Sequence, residues 1–419
     1  MAAVAVLPIA AAETKCSQVW APCKISTVRS QICHSLVLNL HQPAGNLDAL
    51  LDGQPWEAKQ ILWAIDRIPR TLWGWEDVGR VHLSLSGTLL ETLCSPGFQA
   101  RVYSAVDVGS LLWHLQNERV LRILGTAYYH PVLPLIPIAD CDEHLGRWQS
   151  LAGHLFWRER FQGFWPPEMG FSMDLIPLLE KAGYRYVVVD SEHVEAVGSM
   201  SWQELRYRPH VARQGGAQIV VVVRDRQLSD AQESGMDCAW FTREVAERTR
   251  WCDFAPLVVT ASDGDNGGWF RNTTNGANFW DAFYVDLMER ARHGGIRPMF
   301  IDDYLDRFPP VGEVTVRTGA WNTGWHHGGG FLQWIGSQAQ KDALGRVGDV
   351  SAALHHLRAA AAADGRQPVW QAVNEATWRL LRAETSCNFF WGEDWVGRCH
   401  ADLNESWGWI AEARNRLAR

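Results

Sequence analysis

Two acidic residues, Glu168 and Asp263, lie in segments suited to holding a carboxylate in place. Glu168 follows Trp165 and two prolines, whose fixed φ restricts the approach to the carboxylate. Asp263 lies in residues 261–269 (ASDGDNGGW), where glycines permit close backbone approach and Trp269 offers a flat apolar face. Such a pair suits glycosidic bond cleavage, in which one carboxyl group protonates the leaving oxygen and the other attacks the anomeric carbon or activates water. A polar turn with Asp263 as a helix cap is the alternative at this stage.

Polar residues follow other short apolar segments as well. His41 and His130 each come after one, where a histidine serves either as a ligand contact or as a structural residue. A later cluster suits a divalent metal instead, as in a metal-dependent polysaccharide deacetylase, and makes that enzyme class the rival prediction. The residues of this cluster are Asp190, Glu192, His193, His326 and His327.

The amino-acid composition limits the classes of ligand that the protein could bind. The net charge of −8 argues against a nucleic-acid binder or a protein of anionic membrane surfaces, because both need basic surface. Tryptophan is unusually frequent, with 23 Trp against 15 Phe and 8 Tyr, and indole faces stack on the apolar faces of sugar rings. Carbohydrate is therefore the favoured ligand class. No cofactor or metal is expected under that interpretation, and the oligomeric state stays open.

Cysteine usage and the first residues bear on location. The nine cysteines are scattered and include no CxxC pair, which is typical of reduced thiols. Residues 2–12 are apolar and small, like the core of a signal peptide, but no Lys or Arg precedes them. No run approaches the roughly 18 apolar residues of a membrane span. A cytoplasmic location is predicted, and secretion is not excluded.

The elements that must position these residues alternate between strands and helices. Parallel strands need crossover connections, so this alternation predicts a mainly parallel α/β fold, either a barrel or an open doubly wound sheet. The carboxyl ends of barrel strands share one rim, which places the polar residues together. The predicted strands are residues 35–40, 81–85, 120–124, 161–165, 184–189, 219–223, 257–260 and 299–301.

The chain divides into three predicted parts: an N-terminal extension at residues 1–30, a barrel at 31–310, and an aromatic loop with a helical bundle at 311–419. Apolar residues spaced by three and four predict a barrel helix over 279–291. The C-terminal part is predicted to hold helices at 349–363, 369–384 and 400–417. Its tryptophans Trp321, Trp325 and Trp334 form either an aromatic rim or ordinary packing.

Four short motifs, in order along the chain, resemble the first four signature regions of glycoside hydrolase family 57. They are residues 41–43 (HQP), 125–131 (GTAYYHP), 165–168 (WPPE) and 263–268 (DGDNGG). The resemblance implies an incomplete (β/α)7 barrel followed by a helical region. It also implies a retaining mechanism on α-glucans such as starch, glycogen and maltodextrin, with α-1,4 and in some members α-1,6 bonds cleaved.

By this resemblance, Glu168 matches the nucleophile and Asp263 the general acid/base. The substrate-binding residues expected are His41, Gln42, His130, Trp165, His193, Asp265, Trp269, Trp321 and Trp391. Two departures stand in the fourth motif, where Asp265 replaces the more usual Glu and Gly267 replaces a bulky residue. The fifth motif falls either in residues 385–394 or in residues 318–322.

The resemblance does not separate hydrolysis from transfer. A 4-α-glucanotransferase would use the same two carboxylates, because only the acceptor that reaches the intermediate differs. A non-catalytic glucan-binding protein is the remaining alternative, although both carboxylates are present.

Overall fold

The computed structural model describes residues 31–321 and 330–419. The predicted N-terminal extension and residues 322–329 of the predicted aromatic loop lie outside these ranges. Eleven strands are present in the described residues: β1 Cys33–Leu40, β2 Val81–Leu85, β3 Leu121–Leu124, β4 Gly163–Phe164, β5 Tyr186–Asp190, β6 Val194–Val197, β7 His210–Gln214, β8 Ala217–Arg224, β9 Leu257–Asp263, β10 Arg297–Pro298 and β11 Gly312–Val316.

Seven of these strands, all parallel, form a closed ring. The order around the ring is β1, β2, β3, β4, β5, β8 and β9, and β9 pairs with β1 again. One narrow junction joins β3 to β4, where a single bridge pairs Gly125 with Phe164. Two backbone hydrogen bonds support it, from the Gly125 N–H to the Gly163 carbonyl at 2.9 Å and from the Trp165 N–H to the Gly125 carbonyl at 2.8 Å. This ring confirms the (β/α)7 barrel and excludes the open sheet.

Alternating side chains fill the two faces of the barrel wall. Val37, Val188 and Val222 belong to one buried cluster inside the barrel, while their sequence neighbours pack outward against the helices. Strands buried on both faces need continuous apolar sequence, which explains runs such as VVVV in β8. The barrel interior is thus packed, and ligand access is confined to its ends.

Helices surround the barrel and continue beyond it. A π-helix at Trp280–Tyr284 runs into the helix Val285–Arg292 and buries the apolar face predicted for residues 279–291. The α-helices are Asn46–Gly53, Pro55–Leu72, Gly87–Cys94, Pro96–Val102, Val108–Asn117, Ile138–Phe156, Ile176–Lys181, Trp202–Tyr207, Arg226–Glu233, Cys238–Arg248, Gly267–Arg271, Val285–Arg292, Ile301–Leu305, Leu332–Ile335, Gln338–Asp364, Gln367–Ala383, Cys387–Phe390 and Glu393–Leu417. In the described residues no helix has the length and apolar character needed to cross a bilayer.

The structure differs from the predicted elements in two places. Residues 299–301 are not a strand; the strand is the two-residue β10, and the helix Ile301–Leu305 begins where the strand was expected to end. The antiparallel strands β6 and β7, together with β11, form an addition to the sheet that the sequence analysis did not predict. Since β11 lies after residue 310, the sheet extends past the proposed domain boundary.

The C-terminal region consists of three long helices with their own apolar core. Gln338–Asp364, Gln367–Ala383 and Glu393–Leu417 correspond to the three predicted helices, and the first and last begin earlier than predicted. Trp334 is fully buried and packs into this core. Of the two alternatives predicted for this residue, the structure therefore supports ordinary packing and not an exposed aromatic rim. The short helix Cys387–Phe390 connects the second and third long helices beside the barrel rim.

Candidate active site

A cavity of about 300 Å³ opens at the carboxyl end of the barrel strands. Its walls come from the loops after β1, β3, β4 and β9 and from the C-terminal helical region. Eight of the residues expected at a site by sequence line it: His41, Gln42, His130, Glu168, Asp263, Asp265, Trp321 and Trp391.

Glu168 is held from two sides. Its Oε1 accepts a hydrogen bond from Ser386 Oγ at 2.8 Å, and its Oε2 accepts one from Trp321 Nε1 at 2.9 Å. The Trp321 N–H also donates to the Glu168 carbonyl at 3.0 Å. Both Glu168 and Met169 have positive φ, 55° and 50°, which is a strained conformation for residues other than glycine. The expected fixed placement of Glu168 is therefore visible in the backbone as well as in the side chain.

Asp263 is the last residue of β9 and pairs in register with Asn39 of β1. Asn39 Nδ2 donates to Asp263 Oδ1 at 2.9 Å. The following glycine lies close to β1, since a Cβ at Gly264 would stand 3.0 Å from the Leu38 side chain. Asp263 does not cap a helix; Asn266 is the N-cap of the helix Gly267–Arg271. The side chain of Asp263 is thus directed by the barrel wall into the cavity.

The two carboxyl groups differ in their electrostatic surroundings. Burial raises the pKa of Glu168, while the hydrogen bonds from Ser386 and Trp321 act in the opposite direction. The pKa of Asp263 is raised well above its usual range, first by burial and then by the negative charges of Glu168 and Asp265. Two groups with separated proton affinities are what acid/base catalysis by a carboxyl pair requires.

The histidines at the rim are neutral. The rings of His41 and His130 stack with a centroid separation of 4.1 Å. Burial lowers the pKa of His41 to about 3 and lowers that of His130 well below its usual range. The ring of His41 is fixed by a contact of 2.9 Å between its Nδ1 and Ser86 Oγ. Neutral His41 can therefore offer its Nε2 to an uncharged ligand without adding charge to the site, whereas both ring nitrogens of His130 already contact Ser386 and Asn39.

Asp265 is a third acidic group in the cavity wall. Its Oδ2 accepts a hydrogen bond from Gln42 Nε2 at 3.0 Å, and its backbone carbonyl accepts one from Arg271 Nε at 2.9 Å. Burial raises the pKa of Asp265 to about 6, so its charge changes near neutral pH. The shorter side chain at this position leaves a carboxylate bound to Gln42 at the cavity edge.

Three expected substrate-binding residues lie elsewhere. Trp165 is fully buried and packs edge-on against Trp321, with the ring centroids 5.6 Å apart. His193 Nε2 contacts the backbone carbonyl of Ala320 at 3.0 Å, and the ring of Trp269 packs partly buried against the barrel core. The structure does not bring Trp165, His193 or Trp269 to the cavity surface.

The charged cluster of the rival prediction is an ion-pair network. Asp190 is buried and binds Arg224 at 2.7 Å and Arg226 at 2.9 Å. Within residues 31–321 and 330–419, no group of three or more His, Cys, Asp or Glu side chains is arranged to hold a metal ion. His326 and His327 lie outside those ranges. The Asp190 carboxylate is thus neutralised by two arginines.

Some residues of the site lie outside the predicted motifs or were not singled out within them. Asn39 and Trp395 line the cavity and belong to none of the motifs, and Ser386, which binds Glu168 without lining the cavity, is 218 residues away from it. Both segments proposed for the fifth motif reach the site, because residues 318–322 supply Trp321 and residues 385–394 supply Trp391. The only feature of the sequence that pointed to residues 385–394 was their aromatic content.

Comparison with solved structures identifies the architecture. The chain resembles a family 57-type branching enzyme from Pyrococcus horikoshii with a TM-score of 0.66 and 15% identity, over 91% of this chain and 88% of that one. It also resembles an α-amylase from Thermotoga maritima with a TM-score of 0.68 and 13% identity, over 91% and 93% of the two chains. At such low identity these likenesses establish the shared fold.

Sequence relatives and a family model add to this. The chain is 26% identical to an α-amylase from Pyrococcus horikoshii and 32% identical to a 4-α-glucanotransferase from Thermococcus kodakarensis, each over 65% of this chain. It spans only 40% and 39% of the lengths of those two proteins. The model of glycosyl hydrolase family 57 matches residues 55–317, which is more than half of the chain. On this match and the shared barrel, the chain belongs to glycosyl hydrolase family 57.

Proposed function

We propose that this protein is a retaining glycoside hydrolase that acts on α-glucans, with Glu168 as the nucleophile and Asp263 as the general acid/base. The observation that carries the proposal is the pair of partly buried carboxyl groups that open into one cavity in unlike surroundings. Two donors on Glu168 favour its ionised form, whereas burial and neighbouring negative charge favour the protonated form of Asp263. This is the starting state that the reaction needs.

The reaction then takes two steps. In the first, the Glu168 carboxylate forms a bond to the anomeric carbon, the bond to the leaving oxygen breaks, and Asp263 gives that oxygen its proton. The ester removes the charge of Glu168, so the repulsion that raised the pKa of Asp263 falls. In the second step Asp263 takes a proton from water, the water oxygen bonds to the anomeric carbon, and Glu168 leaves as a carboxylate.

The remaining cavity residues suit an uncharged polyhydroxylated ligand. His41 and Gln42 offer neutral donors and acceptors near the carboxyl pair. On the opposite wall Trp391 and Trp395 lie 6.2 Å apart, and Trp391 is half-exposed. Indole faces of this kind stack on sugar rings. We assign this wall to glucose units beyond the bond that is cleaved.

Transfer to a second glucan is the alternative activity. The same ester intermediate reacts with water in hydrolysis and with a sugar hydroxyl in transfer. The Trp391–Trp395 wall favours this second candidate, since it offers a place for an acceptor sugar. The curated relatives include proteins named for both activities, an α-amylase and a 4-α-glucanotransferase.

Incubation with maltoheptaose tests both activities. Size analysis of the products should give only shorter oligomers if the enzyme hydrolyses, and longer oligomers as well if it transfers. Proton NMR of the first products should show the α-anomer, because a retaining reaction preserves the configuration. Unchanged maltoheptaose, or β-configured first products, would contradict the proposal.

Two controls separate the rival classes. Activity should persist in the presence of a strong chelator, whereas a metal-dependent deacetylase would lose activity and would release acetate from acetylated polysaccharide. Glucan affinity without any product from the unaltered protein would instead indicate a non-catalytic binding protein.

A further inference from the structure

We propose that Asn39, His130 and Ser386 form a hydrogen-bond chain that holds one shared proton on the carboxyl pair, so that Asp263 is protonated when Glu168 is ionised. This inference rests on the proposed function and adds three positioning residues to it. The chain runs from Asp263 through Asn39, His130 and Ser386 to Glu168, and its three central residues act through the two carboxyl groups rather than on the substrate.

The chain is continuous in the structure. The contact between Asp263 and Asn39 is 2.9 Å, and Asn39 Oδ1 lies 3.3 Å from His130 Nε2. His130 Nδ1 lies 3.3 Å from Ser386 Oγ, which reaches Glu168 Oε1 at 2.8 Å. All three central side chains are buried, with exposed fractions of 2% or less, so water does not compete for these contacts.

The number of hydrogens available along the chain determines how many protons the two carboxyl groups hold. The chain has four junctions, and each needs one hydrogen. The central groups supply three: one from the Asn39 amide, whose other end is a carbonyl, one from neutral His130, and one from the Ser386 hydroxyl. The fourth must come from a carboxyl group, since burial keeps the ring of His130 neutral. One carboxyl group is thus an acid and the other is a carboxylate.

With Glu168 ionised, as the proposed function requires, the direction of the chain follows. Ser386 donates to ionised Glu168, so its oxygen accepts from His130 Nδ1–H, and His130 Nε2 must accept from the Asn39 NH2. The Asn39 carbonyl then faces Asp263, so the amide is turned by 180° from the orientation described above, in which Asn39 Nδ2 donates to Asp263 Oδ1. A carbonyl is satisfied only by a protonated Asp263. The chain therefore holds the proton on Asp263, and no proton moves along it.

Trp321 provides a matched control. It also donates one hydrogen bond to Glu168, but to Oε2, which is outside the chain. Trp321→Phe and Ser386→Ala each remove one donor from the carboxylate, and both should raise the pKa of Glu168. Only Ser386→Ala shortens the chain so that it ends at His130. Two junctions then remain, and the hydrogens of Asn39 and His130 fill both of them. An ionised Asp263 then accepts a hydrogen bond from the Asn39 amide, so the pKa of Asp263 should fall.

The charged and titratable groups around the chain act equally on both variants. Asp263 faces Glu168, Asp265 and Glu233, and Glu168 faces His130 and Cys387. His130 faces His41 across the ring stack. A change in the charge of Glu168 reaches Asp263 through space in either variant, so the difference between the variants isolates the chain.

The test compares kcat/KM against pH on maltoheptaose for the wild type, Ser386→Ala, Ser386→Thr and Trp321→Phe. Ser386→Ala should move the basic limb down by about one pH unit, the size expected for one hydrogen bond to a charged group. Trp321→Phe should leave that limb in place, and Ser386→Thr, which keeps the hydroxyl, should restore it. Equal shifts in Ser386→Ala and Trp321→Phe, or no shift in either, would overturn the proposal.

A second measurement does not depend on activity. Infrared titration of the carboxylic-acid band in substrate-free protein, assigned to Asp263 by its loss in Asp263→Asn, should show the same lower midpoint in Ser386→Ala only. An unchanged midpoint there would overturn the chain even if the glucan is cleaved. If the midpoint is lowered in Ser386→Ala but the wild-type protein cleaves no glucan, the hydrogen-bond chain would be supported and the proposed function rejected.

Discussion

Two carboxyl pairs with neighbouring histidines differ in what surrounds them. The rim pair, Glu168 and Asp263, is partly buried and opens into the cavity. The interface pair, Asp140 and Glu384, is fully buried between the barrel helix Ile138–Phe156 and the C-terminal helices and lies outside that cavity. Since proton affinities are perturbed at both, a shifted pKa alone does not mark an active site.

The interface pair is closed off by its partners. His355 Nε2 donates to Asp140 at 2.7 Å, and His144 Nε2 donates to Glu384 at 2.9 Å. Burial acts to raise the pKa of Asp140, but the hydrogen bonds from His355 and Ser351 outweigh it, so the pKa is lowered. The pKa of Glu384 is raised well above its usual range by burial and by Asp140. This pair thus links the barrel to the C-terminal helices, while the rim pair faces the cavity in the unlike surroundings on which the proposed function rests.

The largest expected difference between the pairs is in activity. Asp263→Asn should lower kcat on maltoheptaose by about 10²- to 10⁴-fold, the usual contribution of a general acid/base, and Glu168→Gln by at least as much. Asp140→Asn, the matched change at the interface, should keep kcat within about threefold, well below those losses. Near-normal turnover in either rim variant would reject the assignment of the carboxyl pair.

The substitutions Asp140→Asn and Asp263→Asn should change the free energy of unfolding in opposite directions. Asp140 has a lowered pKa in the folded state, so its ionised form adds stability at neutral pH that is lost as the pH falls through that pKa. Asp140→Asn should therefore lower the free energy of unfolding at pH 7 by about 2 kcal/mol. Asp263 has a raised pKa, so folding is penalised once the pH exceeds its unfolded value, and Asp263→Asn should stabilise the protein at alkaline pH. Urea unfolding from pH 4 to pH 9 measures both; two changes of the same sign would contradict the comparison.

A smaller effect is expected at the aromatic wall. Trp391→Ala should lower kcat/KM on maltoheptaose about tenfold, which corresponds to about 1.4 kcal/mol of stacking on one sugar ring. The loss should be smaller on a short substrate that does not reach the wall. Trp157, which is exposed far from the cavity lining, provides the control, and Trp157→Ala should leave both substrates unaffected. Equal losses on long and short substrates would place Trp391 outside the binding path.

The smallest effect is expected at Trp165. Because this ring is buried behind Trp321 rather than in the cavity, Trp165→Phe should leave KM within about twofold of the wild type and cost about 1 kcal/mol or less in unfolding free energy. Substrate titration and urea unfolding check the two values. A large rise in KM would restore Trp165 to the substrate-binding residues.

Local sequence was enough to predict the barrel strands and the rim pair. Short apolar segments followed by polar residues identify β1, β2, β5, β8 and β9, because a strand buried on both faces has to be apolar until it reaches the rim. The two-residue β10 could not be placed this way, since Arg297 and Pro298 have neither apolar character nor length. Its position is set by pairing with β1, which no local pattern records.

The partners of the rim pair could not be predicted for a related reason. Ser386 and Asn39 are ordinary polar residues, and what makes them matter is contact across 218 and 224 positions of sequence. The expectation for Trp165 differed from the structure for the opposite reason. Its place beside Glu168 in the motif suggested a ligand contact, but neighbours along a tight turn point in different directions, and its ring lies in the barrel interior.

The narrow junction between β3 and β4 has a consequence for thermal inactivation. The strand that precedes Glu168 has only two residues, and it is joined to β3 by the hydrogen bonds at Gly125. Opening this junction would displace Glu168 while the rest of the barrel stays closed, since few contacts need to break. Activity on heating should then disappear below the temperature at which the whole domain unfolds. The amide hydrogens of Gly125 and Trp165 should exchange with solvent sooner than those in the centre of β1.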